Sequence, residues 1–316
     1  MNAYIVVPVL DAMSGWSDFS KALLENLADL NLAPSQVLVI DSESDDGSAE
    51  AARDIGFCVL PILRSEFDHG ATRQLAADLL ADAEFLVYLT QDAILVSPDS
   101  IRKLLHVFHD PEIGAAYGRQ LPRIGASPLE AHARLFNYPA HTQIRSLESR
   151  REIGFKSIFF SNSFGAYRRS ALQKVGGFSS QTIFGEDTIV TARLHLAGWK
   201  TAYVGNAEVY HSHSYPLKRE FQRYFDIGVL HARESWILKE FGGTGNEGFR
   251  FLLSETRFLW PRSIHRLPSA WFRTLLKWTG YRMGRREASL SVRAKIRMSM
   301  NRSFWEKEAH GEPKIA

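Results

Sequence analysis

Glu186 and Asp187 stand side by side after Gly185 and before an apolar-periodic run, Ile189, Leu194 and Leu196, that stops at Gly198. The pattern predicts a loop entering a helix, with Asp187 near the helix N-terminus, where the macrodipole favours an ionised carboxylate. Such a residue either caps the helix or removes a proton from a hydroxyl within hydrogen-bond reach. Acidic groups also follow two apolar runs. Asp41-Ser42-Glu43-Ser44-Asp45-Asp46-Gly47 comes after residues 37–40, and Thr90-Gln91-Asp92-Ala93 after residues 85–89. The first turn suits the base and ribose hydroxyls of a nucleotide, or it is a solvated turn capping the next helix. It is no calcium loop, because Asp46 stands where that loop needs glycine and a strand precedes it. Asp92, with diphosphate oxygens and water, would make a hard-cation site for Mg2+ or Mn2+. Arg64, His69 and Arg73 bracket a helix start, a place that favours phosphate, although ion pairs with Glu66 and Asp68 would also satisfy them. His211 and His213, two apart in a strand-like run, point to one side and can share a site; a satisfied buried histidine is the alternative.

The segments between these residues must position them. Strand-like runs at 4–9, 37–40, 57–62 and 85–89 alternate with helical runs from Ser17, at 49–54 and at 71–83. This predicts an α/β fold with a mainly parallel central sheet flanked by helices. Such sheets bind ligands beyond the carboxyl ends of their strands, where the acidic turns lie. Further on, the sequence predicts strands at 114–120, 156–167, 200–204 and 209–213, and a helix over 128–151. Neither a Walker nor a dinucleotide glycine pattern occurs.

A chain of 316 residues with 45% hydrophobic and 23% charged residues can bury a sizeable core. No apolar run reaches the ~18 residues needed to span a bilayer. The opening run lacks a basic region, so no signal peptide is expected, and the single Cys58 fits a reducing cytoplasm. One cysteine also argues against a structural zinc site. Charge is uneven along the chain. Residues 1–214 hold 18 Lys and Arg against 25 Asp and Glu, whereas 215–316 hold 20 against 10 and five of the seven tryptophans. Residues 216–241 form a broad helical pattern with Phe221, Phe225, Trp236, Ile237 and Phe241 apolar and Lys218, Arg219, Arg223 and Arg233 basic. This extension suits a peripheral contact with an anionic membrane, a helical cap on the first part, or a subunit interface in a homo-oligomer.

V-P-V at the first strand, D-S-E-S-D-D-G, Q-D-A, R-R…V-G-G-F, G-E-D and H-S-H, in that order, resemble family 2 glycosyltransferases with the GT-A fold. E-F-D-H-G-A-T-R, Y-G-R-Q-L-P-R and Q-R-Y-F-D-I-G-V-L-H are similar to the bacterial rhamnosyltransferase branch, whose donor is dTDP-L-rhamnose. The resemblance covers roughly residues 3–240. It implies a catalytic domain over 1–214 with a helical, basic extension over 215–316. Pro8, Val9, Asp41, Asp46, Arg64, His69, Arg73, Gln91 and Asp92 would serve the donor, and Asp92 with His211 would hold Mg2+ or Mn2+. Asp187 would be the general base of an inverting transfer, and Glu186 would orient the acceptor. That acceptor would be a growing or lipid-linked saccharide at the cytoplasmic face of the inner membrane. Thr90 departs from the pattern, standing where the first aspartate of the metal motif is usual.

Other classes predict other features. A nucleotidyltransferase would carry a glycine-rich basic loop after the first strand, where this chain has Leu10-Asp11-Ala12-Met13. A sugar-nucleotide-binding module without catalysis has no use for Glu186-Asp187, and a UDP-hexose donor would keep the family without the branch. No nucleic-acid motif accompanies the basic extension, so no nucleic-acid partner is expected.

Overall fold

The structure is a computed structural model that describes residues 2–309 apart from 181, 244 and 246. The end of the extension, 310–316, lies outside the described residues. Strands β1 (Ala3–Val9), β2 (Val37–Asp41), β3 (Cys58–Pro61) and β4 (Phe85–Leu89) alternate with helices α1 (Trp16–Leu30), α2 (Ser48–Ile55) and α3 (His69–Leu79). The strands pair in parallel in the order β3-β2-β1-β4, with Val9 beside Asp41 and Asp41 beside Pro61. Alternation of side chains explains why these runs are apolar throughout. Ile5, Val7, Val39 and Val87 pack with Phe19 and Leu23 of α1 on one face, while Val6, Leu38, Ile40 and Tyr88 fill the other.

Next come β5 (Ile94–Leu95), α4 (Ser100–His106), β6 (Ile113–Leu121), α5 (Pro128–Asn137), β7 (Gln143–Arg145) and α6 (Arg150–Ile153). They are followed by β8 (Phe164–Arg168), α7 (Arg169–Lys174), α8 (Glu186–Leu196) and β9 (Lys200–Tyr210). Here the sheet becomes mixed. Strand β8 runs antiparallel between β4 and β6, and β9 is parallel to β6 but antiparallel to β5 and β7. The helix expected over 128–151 ends at Asn137, because Pro139 has no N–H to donate and restricts Tyr138 before it. The strand expected over 156–167 is mostly turn and loop, and only its end belongs to β8. The strands expected at 200–204 and 209–213 are one strand, β9, and both histidines lie just past its end.

The basic extension forms α9 (Leu217–Arg233), α10 (Ser235–Phe241), α11 (Glu247–Leu259), α12 (Leu267–Gly284), α13 (Val292–Met298) and α14 (Arg302–Ala309). Helix α12 presses onto α9 through small residues: a Cβ on Gly284 would stand 2.0 Å from the Phe225 carbonyl oxygen. The extension is built directly onto the acidic stretch. Ile183 packs with Phe225, Val229 and Trp305, while Ile189 and Ala192 pack with Leu230, Ile237 and Phe241. Gly185 has φ 79° and a Cβ there would meet Leu230 at 2.6 Å, so glycine is required twice over.

Candidate active site

Helix α8 opens on Glu186, and its first turn presents the two carboxylates to different surroundings. Glu186 is buried and accepts from Arg73 at 2.9 Å and from the side-chain amide of Asn162 at 3.0 Å. Burial pushes its carboxyl up, but the charges of Arg73 and His69 and the Asn162 hydrogen bond outweigh burial and leave it below its ordinary value. Asp187 is half-buried. Its Oδ1 accepts from the Thr188 N–H at 2.7 Å and its Oδ2 from the Asn162 N–H at 3.3 Å. Burial, then the neighbouring charge of Glu186, pushes Asp187 up to about 7. Two adjacent carboxyls held apart in this way have separate roles: Glu186 is the fixed anion and Asp187 the group that exchanges a proton near neutrality.

Two core tyrosines brace this arrangement from below. The Tyr167 hydroxyl donates to Asn162 Oδ1 at 2.8 Å, and the Tyr88 hydroxyl donates to the Arg73 carbonyl at 3.0 Å. Arg73 and His69 therefore belong to the base side. Arg73 also donates to the His69 carbonyl at 2.8 Å, and burial pushes the His69 imidazole down against the pull of Glu186. The sequence predicts a phosphate contact for these two; the structure sets the Arg73 guanidinium on Glu186 and the His69 ring beside Arg73 and Phe67. Glu186 Oε1 takes both Arg73 and Asn162, which ties this carboxylate to the residue whose backbone N–H also holds Asp187.

The other side of the site lies past the ends of β4 and β9. His211 Nε2 and His213 Nε2 approach Asp92 oxygens at 3.4 and 3.5 Å, and all three donor atoms lie within 4.8 Å of one another. Gln120 sets the His211 tautomer. Arg134 can only donate, and its contact of 2.6 Å fixes Gln120 Oε1 as the acceptor. The same oxygen lies 2.9 Å from His211 Nδ1, which must then carry the proton. A bare Nε2 lone pair facing a carboxylate calls for a positive charge between them, either a proton or a divalent cation. Burial pushes Asp92 up, but a hydrogen bond and charge from protonated His211, with the charge of His213, hold it well below its usual range. Burial, then the charge of His211, pushes His213 down to about 4, so it is neutral and able to ligate near neutral pH. One carboxylate and two imidazoles suit a transition-metal cation such as Mn2+ better than the oxygen-seeking Mg2+, and Asp92, His211 and His213 would hold it.

One short loop joins the two sides. Ser161 Oγ accepts from Gln120 at 2.8 Å, Asn162 contacts both carboxylates, and the Ser163 carbonyl accepts from the Thr90 N–H at 3.3 Å. Nothing in the sequence marked this loop, whose residues read as strand, and Gln120 gained its role only through folding. Arg223 of α9 was also missed as a site residue. Its guanidinium lies over the Phe184 ring at 5.1 Å and the Tyr215 ring at 5.9 Å, and it pushes both His69 and His213 down. Among the described residues it has no carboxylate partner, so it remains able to meet an anion.

The remaining expected donor residues sit at the ends of β1 and β2. Asp41 is buried, with Oδ2 accepting from the Ser44 N–H at 3.3 Å and Oδ1 without a protein partner, which leaves that oxygen for a ligand hydroxyl or N–H. Val9 lies beside it, with its side chain in the core. Pro8 is half-buried in the same strand. Asp46, Gln91 and Arg64 act as braces. Asp46 accepts from the Met13 N–H at 2.8 Å, and the Gln91 amide exchanges two hydrogen bonds with the Leu10 backbone. Arg64 donates to the Glu43 carbonyl at 2.8 Å and lies 3.5 Å from both Asp11 and Asp45. These contacts lock the loops after β1 and β2 together around Asp41.

A family model described as glycosyl transferase family group 2 matches residues 85–285, from β4 through α12. The chain belongs to this family. The glycosyl transferase is 40% identical over 306 residues to the O-antigen chain rhamnosyltransferase RfbN of Salmonella typhimurium, covering 96% of each chain. It is 41% identical over 302 residues to WbaN of Salmonella anatum, another O-antigen chain rhamnosyltransferase, covering 95% of each. A third relative, the N-acetylglucosaminyl-diphospho-decaprenol L-rhamnosyltransferase of Mycobacterium tuberculosis, is 27% identical, covering 88% of this chain and 91% of its own. Among solved structures, a mannosyltransferase from Pyrobaculum calidifontis in complex with GDP-Man and Mn2+ shares the fold. Its TM-score is 0.57 at 14% identity, covering 98% of this chain and 86% of its own. The GT-A architecture of the enzyme is thereby established.

Proposed function

We propose that the enzyme transfers L-rhamnose from dTDP-L-rhamnose, with inversion, to a hydroxyl of a growing cell-surface saccharide carried on a lipid diphosphate. The observation that carries this reading is the 40% identity over 96% of both chains to an O-antigen chain rhamnosyltransferase. The geometry supports it. Asp187 takes the proton of the acceptor hydroxyl as that oxygen attacks the anomeric carbon, and Glu186, Arg73 and Asn162 hold Asp187 in place. Asp41 binds the nucleoside through its free oxygen. Arg223, which acts on His213 and has no carboxylate partner among the described residues, offers positive charge to the departing diphosphate. A divalent cation bound by Asp92, His211 and His213 supplies further positive charge to that leaving group.

The acceptor reading takes support from the lipid diphosphate in the name of the mycobacterial relative. The surface near helices α11 and α12 supports the reading that the enzyme works at the cytoplasmic face of the inner membrane. Trp260, Trp271, Phe272, Leu275 and Trp278 are exposed there on a segment rich in arginine, the composition of an interfacial surface on anionic lipid. No helix among the described residues is long and apolar enough to cross a membrane. The catalytic unit is residues 1–214, and the extension over 215–316 completes its base side.

Incubating the enzyme and Mn2+ with radiolabelled dTDP-L-rhamnose, UDP-glucose or UDP-N-acetylglucosamine, over lipid-linked saccharides extracted from the producing cell, tests the donor. Rhamnose should be incorporated, and dTDP should protect the enzyme against thermal unfolding better than GDP or ADP. Preferential transfer from a UDP-hexose would retain the glycosyl transferase and reject dTDP-L-rhamnose.

A further inference from the structure

Some cations of the extension are paired with carboxylates. Arg233 meets Glu287 and Glu308, Arg273 and Lys277 meet Glu220, and Lys295 meets Glu287. One cleft gathers four that are not. Between α9 and the α13–α14 corner lies an open cavity of about 630 Å3 lined by Lys218, Arg219, Arg297 and Arg302, with no carboxylate in its wall. Among the described residues, none of these four has an acidic partner, although Lys295 on the same short helix as Arg297 does. Four unpaired cations around one concavity repel one another and concentrate a positive field, which an anion would relieve. Three arginines also offer the forked donors that grip phosphate oxygens.

The floor of the cleft is fixed to the catalytic stretch. Gln222 of α9 donates to the Arg297 carbonyl at 2.9 Å, which holds the two walls together. Just beyond α13, the Met300 N–H donates to Asp226 at 2.9 Å, and the Asn301 amide donates to the Ile183 carbonyl at 3.2 Å. Ile183 leads through Gly185 into Asp187, so the cleft adjoins the side of the site from which the proton is taken.

We propose that this cleft is a second anion site, which binds the diphosphate of the acceptor and so presents the acceptor's sugar end to Asp187. The proposal rests on the reading of the acceptor as a saccharide on a lipid diphosphate. It gives Lys218, Arg219, Arg297 and Arg302 a substrate-binding role separate from the donor site.

Inorganic pyrophosphate is the probe, titrated calorimetrically into the full chain in EDTA, so that no cation bridges it to Asp92. Wild type should bind it, more weakly as salt rises. Arg297→Gln/Arg302→Gln, and separately Lys218→Gln/Arg219→Gln, should weaken binding at least ~10-fold. Arg257→Gln/Arg286→Gln removes equal charge outside the cleft and should leave binding unchanged. Binding of dTDP with Mn2+ reports that each variant is folded. The proposal is overturned if wild type does not bind pyrophosphate, or if the cleft and control variants lose it equally. A second arm sediments the same proteins with phosphatidylglycerol vesicles that contain no acceptor. Cleft variants that lose pyrophosphate yet still sediment support an acceptor site. Loss of sedimentation with pyrophosphate binding intact would make the cleft a headgroup contact and reject the proposal. Failure of rhamnose transfer in the donor assay would reject the functional reading while leaving the pyrophosphate result to stand by itself.

Discussion

Asp92 and Asp187 are the same residue type at two ends of one hydrogen-bonded loop, and their surroundings push them in opposite directions. Around Asp92 are two imidazoles that, once protonated, hold the carboxyl ionised against burial; around Asp187 are burial and a second carboxylate that push its proton affinity up. The first environment makes a permanent anion suited to holding a cation. The second makes a base that can both take and release a proton near neutrality. Ser161, Asn162 and Ser163 keep the two apart and in register, so leaving-group chemistry and proton chemistry are separately tuned on one scaffold.

Removing the base should have the largest effect. Asp187→Asn keeps the shape and one of the two backbone contacts, since its amide nitrogen cannot accept from the other N–H, and it takes no proton, so transfer should fall by ~100- to 10,000-fold with donor binding kept. Transfer at wild-type rate would reduce Asp187 to a helix cap. Next comes Asp92→Ala, which should cost Mn2+ affinity about 100-fold, read as loss of Mn2+-dependent dTDP binding. Chelation by EDTA should abolish transfer and added Mn2+ or Mg2+ should restore it; full activity after verified metal removal would sink the cation reading. Gln120→Leu touches neither aspartate but frees the His211 tautomer, and should weaken Mn2+ about 10-fold while the pH profile of the base side stays put. If that profile moves as well, the two halves are not separate.

The smallest effect concerns stability. Because the folded state raises Asp187 to about 7, protonation favours the fold. That stability is present at low pH and is lost as pH rises through about 7. Asp187→Asn should therefore gain on wild type in melting temperature by about 2 °C or more between about pH 3.5, below the unfolded value, and pH 8. A loss over that range would show that the ionised carboxylate stabilises the fold.

Much of this was legible in the sequence because strand ends and a helix start advertise themselves locally. The unbroken apolar runs gave the four parallel strands, and the turns after them gave Asp41, Asp92 and the Glu186–Asp187 pair. What could not be read was whatever depended on distant partners. Arg73 looked like a phosphate ligand because its helix start is exposed in sequence terms; only the fold brings Glu186 to it across a large loop. Gln120 and Arg134 carry no motif, yet together they choose the His211 tautomer. Pro139 was visible, and its power to end the helix at Asn137 was the one local signal underweighted. The extension showed its charge and tryptophans but not its seat against Ile183 and Ile189, since packing of α9 on α8 depends on small residues such as Gly185.

The central claim, that burial and Glu186 tune Asp187 into a base working near neutrality, is tested most directly by the pH dependence of kcat/KM at saturating Mn2+. An ascending limb with an inflection near about 7 is predicted, with the rate falling tenfold per pH unit below it. The residual activity of Asp187→Asn should lack that limb. A wild-type profile flat from about pH 5.5 to 8.5, or a limb that survives in Asp187→Asn, would contradict the account.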